Sequence, residues 1–402
     1  MSQSQDASSK GSLLPLIFAV TLTGILGNSL IAPAVPDILD DFGVGDAGAG
    51  VLVAATSMPG IFLAPIIGLL ADRYGRRRVL VPCLATFGVS GLLTALAPTF
   101  ELLIVARVGL GVGGAGLINL AIVLIGDHWE GADRTRLIGR NSVVLTIGLA
   151  LIPPLGGTLT DAFSWRVAVL PYGLALVTAF AAWRILDGSR PGNPPTIRSQ
   201  LGGLGRAARQ PQLLVVYAGG TIAFLLIFGV YLAALPLHLE EEFGYGASIR
   251  GLFLALPAVP SMIVAFNIAR IRRHVAPKPL LAMSAVVLAV GFFMIGSSTL
   301  AILVILGCVF HGFGEGALIP TLQDLAVSLA PEAQRGAVVA LFVSAARLGQ
   351  TLGPLGAAAL FQATSTSTVM RVGSLIAIGL ALLFVLAPTG RRVDEKSVME
   401  PA

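Results

Sequence analysis

Twelve stretches of this chain are each long and apolar enough to cross a bilayer, and that pattern restricts the fold more than any other feature. A hydrocarbon core about 30 Å thick requires about 20 apolar residues in a helix. Such runs fall at 12–35, 47–70, 79–97, 101–126, 137–160, 165–185, 212–237, 247–270, 279–297, 299–324, 337–361 and 367–388. In lipid each backbone polar group must find its partner inside the protein, so the predicted class is an all-α membrane protein. Composition agrees: of 402 residues, 55% are hydrophobic and only 12% charged. A soluble chain carries about twice that share of charge, so two or three solvated domains, collagen and disorder are excluded. The first run does not have the pattern of a removable signal segment, since its flank Met1–Gly11 holds one lysine and its apolar part is too long.

Basic residues set the expected orientation. With the N-terminus in the cytoplasm, only Arg166, Arg250 and Arg371 fall outside, and Arg107 and Arg347 fall within spans, leaving the other 21 of 26 Lys and Arg inside. The positive-inside rule therefore predicts a multi-pass protein of the cell membrane with both termini cytoplasmic. The pI of 9.6 reflects topology and calls for no nucleic-acid partner; the partner it implies is the lipid bilayer. Cys83 and Cys308 each lie in an apolar run, without metal or redox spacing. No metal or cofactor is expected. Neither Gly-x-Ser-x-Gly nor His-Glu-x-x-His occurs, so no enzymatic role is expected either.

The longest polar loop, rich in Gly, Pro and Arg, separates spans six and seven. The predicted organisation is an N-terminal tail (1–11), a six-helix bundle (12–186), a cytoplasmic linker (187–211), a second six-helix bundle (212–388) and a C-terminal tail (389–402). A repeat supports the halves. One shift of 201 positions carries Gly43 onto Gly244, Gly111 onto Gly312, Arg134 onto Arg335, Gly148 onto Gly349 and Pro153 onto Pro354. Duplicated six-span units are what alternating-access carriers are built from, with substrate near the midplane between them.

Three segments carry specific motifs. Gly68-Leu-Leu-Ala-Asp72-Arg73-Tyr-Gly75-Arg76-Arg77-Arg78 joins spans two and three; its glycine allows close helix approach and its acid suits the positive N-terminus of a neighbouring helix. The equivalent stretch of the second half, around Arg270 and Arg272, has lost both the glycine and the acid. Span four holds Arg107-Val-Gly109-Leu-Gly111-Val-Gly113-Gly114. Gly109, Gly111 and Gly114, with Asp133 downstream, formally match a dinucleotide fingerprint, but they lie inside a long apolar run rather than after a short strand, and they read as a helix-packing surface. Span five carries Gly139, Gly148, Pro153, Gly156 and Gly157; span eleven carries Gly349, Gly353 and Pro354. These residues make bendable helices able to pack closely on a symmetry mate.

Together these motifs resemble the major facilitator superfamily, and within it the twelve-span drug:proton antiporters, over residues 12–388. The resemblance implies the major facilitator fold of two pseudo-symmetric six-helix bundles. It also implies that the Gly68–Arg78 loop holds a cytoplasmic gate shut by docking on span eleven near Gly336, and that Arg107 takes part in proton transfer. Pro33-Ala-Val-Pro36 is similar to a further element of that group. One position departs from the antiporter signature: Ile152 stands where the glycine before the proline is usual. Another departure is in span one, where relatives often carry a carboxylate and this chain has Asn28 and Ser29.

Charges inside spans are costly, about 2.5–3.5 kcal/mol each on insertion scales, so Arg107, Glu315 and Arg347 are the candidate coupling residues, with His311 one turn before Glu315. Arg107 could instead snorkel outward, and Glu315 with Arg347 could be a permanent structural pair. Spans one, four, seven and ten line the cavity by resemblance, offering Asn28, Phe224, Phe228, Tyr231 and Phe313, with Phe18, Tyr217 and Phe310. Such walls suit lipophilic compounds, among them cations drawn by Glu315. The expected function is export of hydrophobic small molecules in exchange for protons by a monomeric carrier. The alternative is a carrier of the same fold for a sugar, metabolite or lipid, without coupling.

Overall fold

The computed structural model describes residues 2–188, 210–330 and 335–387. The linker expected at 187–211 and the C-terminal tail lie almost wholly outside the described residues, and the N-terminal tail is described only as backbone: a helix that starts at Ser2 and runs into the first span.

All regular structure among the described residues is helical, and twelve helices are long and apolar enough to cross a membrane. Span one is Ser12–Phe42, two Ala47–Tyr74, three Arg76–Ala95, four Phe100–His128, five Gly131–Ala162 and six Trp165–Ile185. The second half follows with span seven Pro211–Phe243, eight Ala247–His274, nine Pro277–Gly296, ten Ala301–Leu329, eleven Arg335–Phe361 and twelve Thr366–Leu386. Several overrun the hydropathy limits, because polar turns such as Asp37–Phe42 continue a helix beyond its apolar part.

Six spans break or widen, among them span six, where a 3-10 turn at Leu170–Gly173 separates Trp165–Ala168 from Leu174–Ile185. Span one stops at Ser29 and resumes after a short 3-10 turn at Ala32–Ala34, where Pro33 and Pro36 cannot supply N–H groups. Spans two, four and eight are interrupted near Pro59, Gly116 and Pro257, and span seven widens into a π segment at Leu226–Ala234. Broken helices leave backbone carbonyls free, and in a membrane these are tolerated where the protein itself supplies partners.

Two apolar cores form, one from residues 13–186 with Leu237 and the other from residues 213–384 with Ala32. Large apolar side chains such as Val105, Phe266 and Leu382 are more than half exposed, as expected of a surface that meets lipid. The repeat is visible in the loops: Gly43 and its mate Gly244 both end a helix at positive φ, 62° and 64°. Two residues before these glycines, Asp41 accepts from Trp165 and Arg166, and its mate Glu242 accepts from Ser367, so both turns anchor the start of a sixth helix.

One end of the bundle is basic (Arg73, Arg76–Arg78, Arg134, Arg272) and the other acidic (Asp37, Asp41, Asp161, Glu240–Glu242). At the acidic face the halves are locked together. Gly251 of span eight leaves room for the Pro153 carbonyl of span five, and Gly50 of span two for the Pro354 carbonyl of span eleven; a Cβ at these glycines would sit 2.5 and 2.0 Å from those oxygens. Arg250, 1% exposed, pairs with Asp37 of the other half and lies 3.4 Å from Glu240. Asp161 accepts the backbone N–H groups of Ala247 and Ser248 at 2.9 and 2.8 Å, where the positive end of span eight stabilises a carboxylate. At the basic face, by contrast, nothing lies within 4 Å of a Cβ placed on Gly68 or Gly336. Ion pairs there, Arg76 with Asp127 and Arg272 with Asp324, each join helices of one half.

Candidate functional site

Arg107 is fully enclosed in the first half. Its Nη2 donates to Asn28 Oδ1 at 2.5 Å, Nη1 to the Gly27 carbonyl at 2.6 Å and to the Tyr172 hydroxyl at 3.2 Å, and Nε to the Leu52 carbonyl at 3.4 Å. Tyr172 also donates to the Gly27 carbonyl, at 2.9 Å. The Gly27 oxygen can accept both because span one stops being helical two residues later. Every acceptor is neutral. The guanidinium is solvated by backbone and amide dipoles, each hydrogen bond to a charged group worth about 1.5–3 kcal/mol. It therefore does not snorkel outward; two of its partners, Gly27 and Asn28, line the cavity, and Asn28 Nδ2 donates to Ser57 Oγ at 3.4 Å.

A cavity of about 390 Å³ lies between the halves, with Asn28 on one wall and Glu315, Arg347, Phe224 and Phe228 on others. Tyr231 and Phe313, expected here, lie elsewhere. Tyr231 is buried behind the wall, donating to the Phe253 carbonyl at 2.7 Å, and Phe313 points out of the bundle at 40% exposure. His311 is also behind the wall: fully buried, stacked on Tyr231 with ring centroids 4.2 Å apart, its Nε2 3.6 Å from Glu315 Oε2. That separation is too long for a hydrogen bond, and neither ring nitrogen has another partner.

The Glu315–Arg347 pair weighed from sequence does not form; no such contact falls within 4.0 Å. Arg347 Nη1 donates instead to Gln350 Oε1 at 3.0 Å, one turn along its own helix. Its stem runs over Gly60 of span two, where a Cβ would lie 2.9 Å from Arg347 Cδ, so the close crossing of spans two and eleven draws the arginine away from span ten.

The motif loops also find partners other than those expected. Asp72 takes Arg76 Nη1 at 2.5 Å, and Arg76 Nε reaches Asp127 at 2.8 Å, so the acid is held inside its own loop rather than at the start of span eleven. Among the described residues the halves stand apart at this face: nothing lies within 4 Å of a Cβ placed on Gly68, and Arg73 lies over the ring of Tyr74, 5.9 Å away. Gly75 links the helices at φ 95°, a conformation open to glycine. Spans five and eleven do not pack on each other. Gly148 and Gly156 receive Leu22, Ile25 and the Leu30 carbonyl of span one, and Gly157 the Ala247 carbonyl of span eight. Gly349 and Gly353 receive the Thr221 and Leu225 carbonyls of span seven.

The model of the Major Facilitator Superfamily matches residues 17–294 and 217–401. The chain belongs to the major facilitator superfamily. Among curated members it is 25% identical over 351 residues to the bacillibactin exporter of Bacillus subtilis (strain 168), covering 84% of this chain and 86% of that one. It is 28% identical over 400 residues to the multidrug efflux pump LfrA of Mycolicibacterium smegmatis (strain ATCC 700084 / mc(2)155), covering 86% and 79%. The crystal structure of a bacterial homologue of the human lysosomal transporter Spinster, inward-facing and unoccupied, superimposes with a TM-score of 0.73 at 15% identity, covering 94% of this chain and 95% of that one, which shows the shared fold.

For this facilitator several cavity residues escaped the reading of the sequence. Ile319 and Gln323 follow Glu315 at four and eight residues on one helical face, a signal available from the sequence. Val343 and Gln350, four residues before and three after Arg347, share its helical face in the same way. The Asp37–Arg250–Glu240 cluster joins residues far apart in the chain and had no local signal.

Proposed function

We propose that this facilitator is a secondary transporter that exports lipophilic small molecules across the cell membrane in exchange for protons, by alternating access, working as a monomer with both termini in the cytoplasm. The observation that carries the reading is Glu315: among the described residues it is the one carboxylate on the wall of an inter-half cavity, and it has no hydrogen-bond donor there. A carboxylate so placed can hold a proton or a substrate group in turn, which is what exchange requires. With the basic face inside, the contacts at the acidic face correspond to a closed outer gate, and the separated basic face to an open inner one. Relatives named as an efflux pump and an exporter support outward transport.

Asn28 takes the place of a first-span carboxylate and accepts a hydrogen bond from Arg107, so coupling falls on the second half. The test is proton movement in lightly buffered proteoliposomes. Adding a lipophilic substrate on the side of the basic face should release protons from the lumen in a fixed ratio to substrate taken up, and substrate uptake without any proton movement would sink the reading.

A further inference from the structure

The cavity holds two opposite charges that do not satisfy each other. Among the described residues Glu315 receives no hydrogen bond; the His311 ring lies 3.6 Å from it. Among the described residues Arg347 donates one N–H to Gln350, has no carboxylate within 4.0 Å and finds no acceptor for its Nε and Nη2. Both side chains line the same space, with Phe224 and Phe228 beside them. Behind Asn28, Arg107 adds a second guanidinium whose acceptors are all neutral. The positive charge around the cavity thus exceeds the negative. A lipophilic cation, which the aromatic content and Glu315 alone would suit, meets two arginines that oppose it. A simple anion would satisfy Arg347 and be opposed by ionised Glu315.

We propose that the preferred cargo is a zwitterionic amphiphile, with its acidic group on Arg347, its amino or other cationic group on Glu315 and its flat apolar body against Phe224 and Phe228. This rests on the transport reading above and narrows it. The cationic end of such a cargo and a proton compete for the same Glu315 oxygens, so loading one releases the other. The acidic end supplies selection: removing it leaves Arg347 unpaired, which a buried polar site penalises more than loss of apolar contact.

The test is equilibrium binding to the full-length protein in detergent micelles, read as displaceable fluorescence anisotropy at fixed pH. Three dyes with one xanthene body are compared: rhodamine B as zwitterion, its ethyl ester as cation and fluorescein as anion. Rhodamine B should bind about tenfold or more tighter than either of the others. R347Q should erase its advantage over the ester by weakening rhodamine B and strengthening the ester, from which it removes a repelling charge, and the retained binding of the ester also shows that the variant is folded; R347K should keep part of the advantage. E315Q should erase the advantage over fluorescein. The proposal is overturned if the ester binds as tightly as rhodamine B, if R347Q leaves their ratio unchanged, or if none of the dyes binds. No gradient enters the measurement, so a failure of proton exchange leaves this result standing, while gradient-driven export of the ester without preference for rhodamine B overturns this inference alone.

Discussion

Gly50 and Pro354 touch across the two halves, a Cβ on Gly50 falling 2.0 Å from the Pro354 carbonyl oxygen, and Gly251 and Pro153 repeat the contact at 2.5 Å. The shift of 201 positions that carries Gly50 onto Gly251 also carries Pro153 onto Pro354. The closed face is therefore built from one contact used twice, each time a glycine of a second helix against the proline turn of a fifth.

Adding volume at either glycine should wedge this face apart. Gly50→Val and Gly251→Val place atoms well inside contact distance of backbone that cannot retreat, as overpacking of a tight interface does at a cost of about 1–3 kcal/mol. Both variants should shift the protein toward the form open at the acidic face. Spin-label distances across that face should lengthen in each, and unchanged distances would show that the contact does not hold the closed form.

Arg250 should act as a latch whose strength depends on acidity at its own face. Its bond to Asp37 exists while Asp37 is ionised, and Asp161 and Glu240 are the other carboxylates near it. Protonating Asp37 removes the partner, so opening at this face should increase as pH there falls. Arg250→Gln should open the same face at neutral pH, by about 10- to 150-fold in the open-to-closed ratio if one charged hydrogen bond worth about 1.5–3 kcal/mol is lost, and should flatten the pH response. Single-molecule distance measurements over a pH series give both readings; a variant that keeps the wild-type response would rule the latch out.

Much of the architecture was legible in the amino-acid sequence because hydrophobic runs of about 20 residues have few alternatives in a bilayer. Helix ends were less so, since Asp37, Asp40 and Asp41 belong to the first span despite their polarity. Rotation of residues about a helix was legible only in part. Phe313 stands two residues from Glu315, about 200° around the helix, and so had to face away from it. Tyr231 lies three residues from Phe228, a spacing that shares a face in an α-helix, but the π segment Leu226–Ala234 widens the turn and carries it behind the wall. The partners of Asp72 and Arg347 depended on how the two halves meet, which no local pattern records.

Asn28 should be needed to keep Arg107 buried. Asn28→Leu removes the acceptor at 2.5 Å and leaves part of a sealed guanidinium without a partner, at a cost of about 1.5–3 kcal/mol. Asn28→Asp should instead pair with the arginine and keep or raise stability. Thermal unfolding in detergent should lower the midpoint for the leucine variant and not for the aspartate; equal losses in both would mean that size, not the acceptor, is what the site needs.

The role given to Glu315 is tested most directly by separating exchange from accumulation. In proteoliposomes, Glu315→Gln should still exchange labelled for unlabelled substrate without a gradient, at a rate that no longer varies with pH, and should fail to accumulate substrate under an imposed proton gradient. If the variant accumulates substrate as the wild type does, Glu315 is not the coupling group.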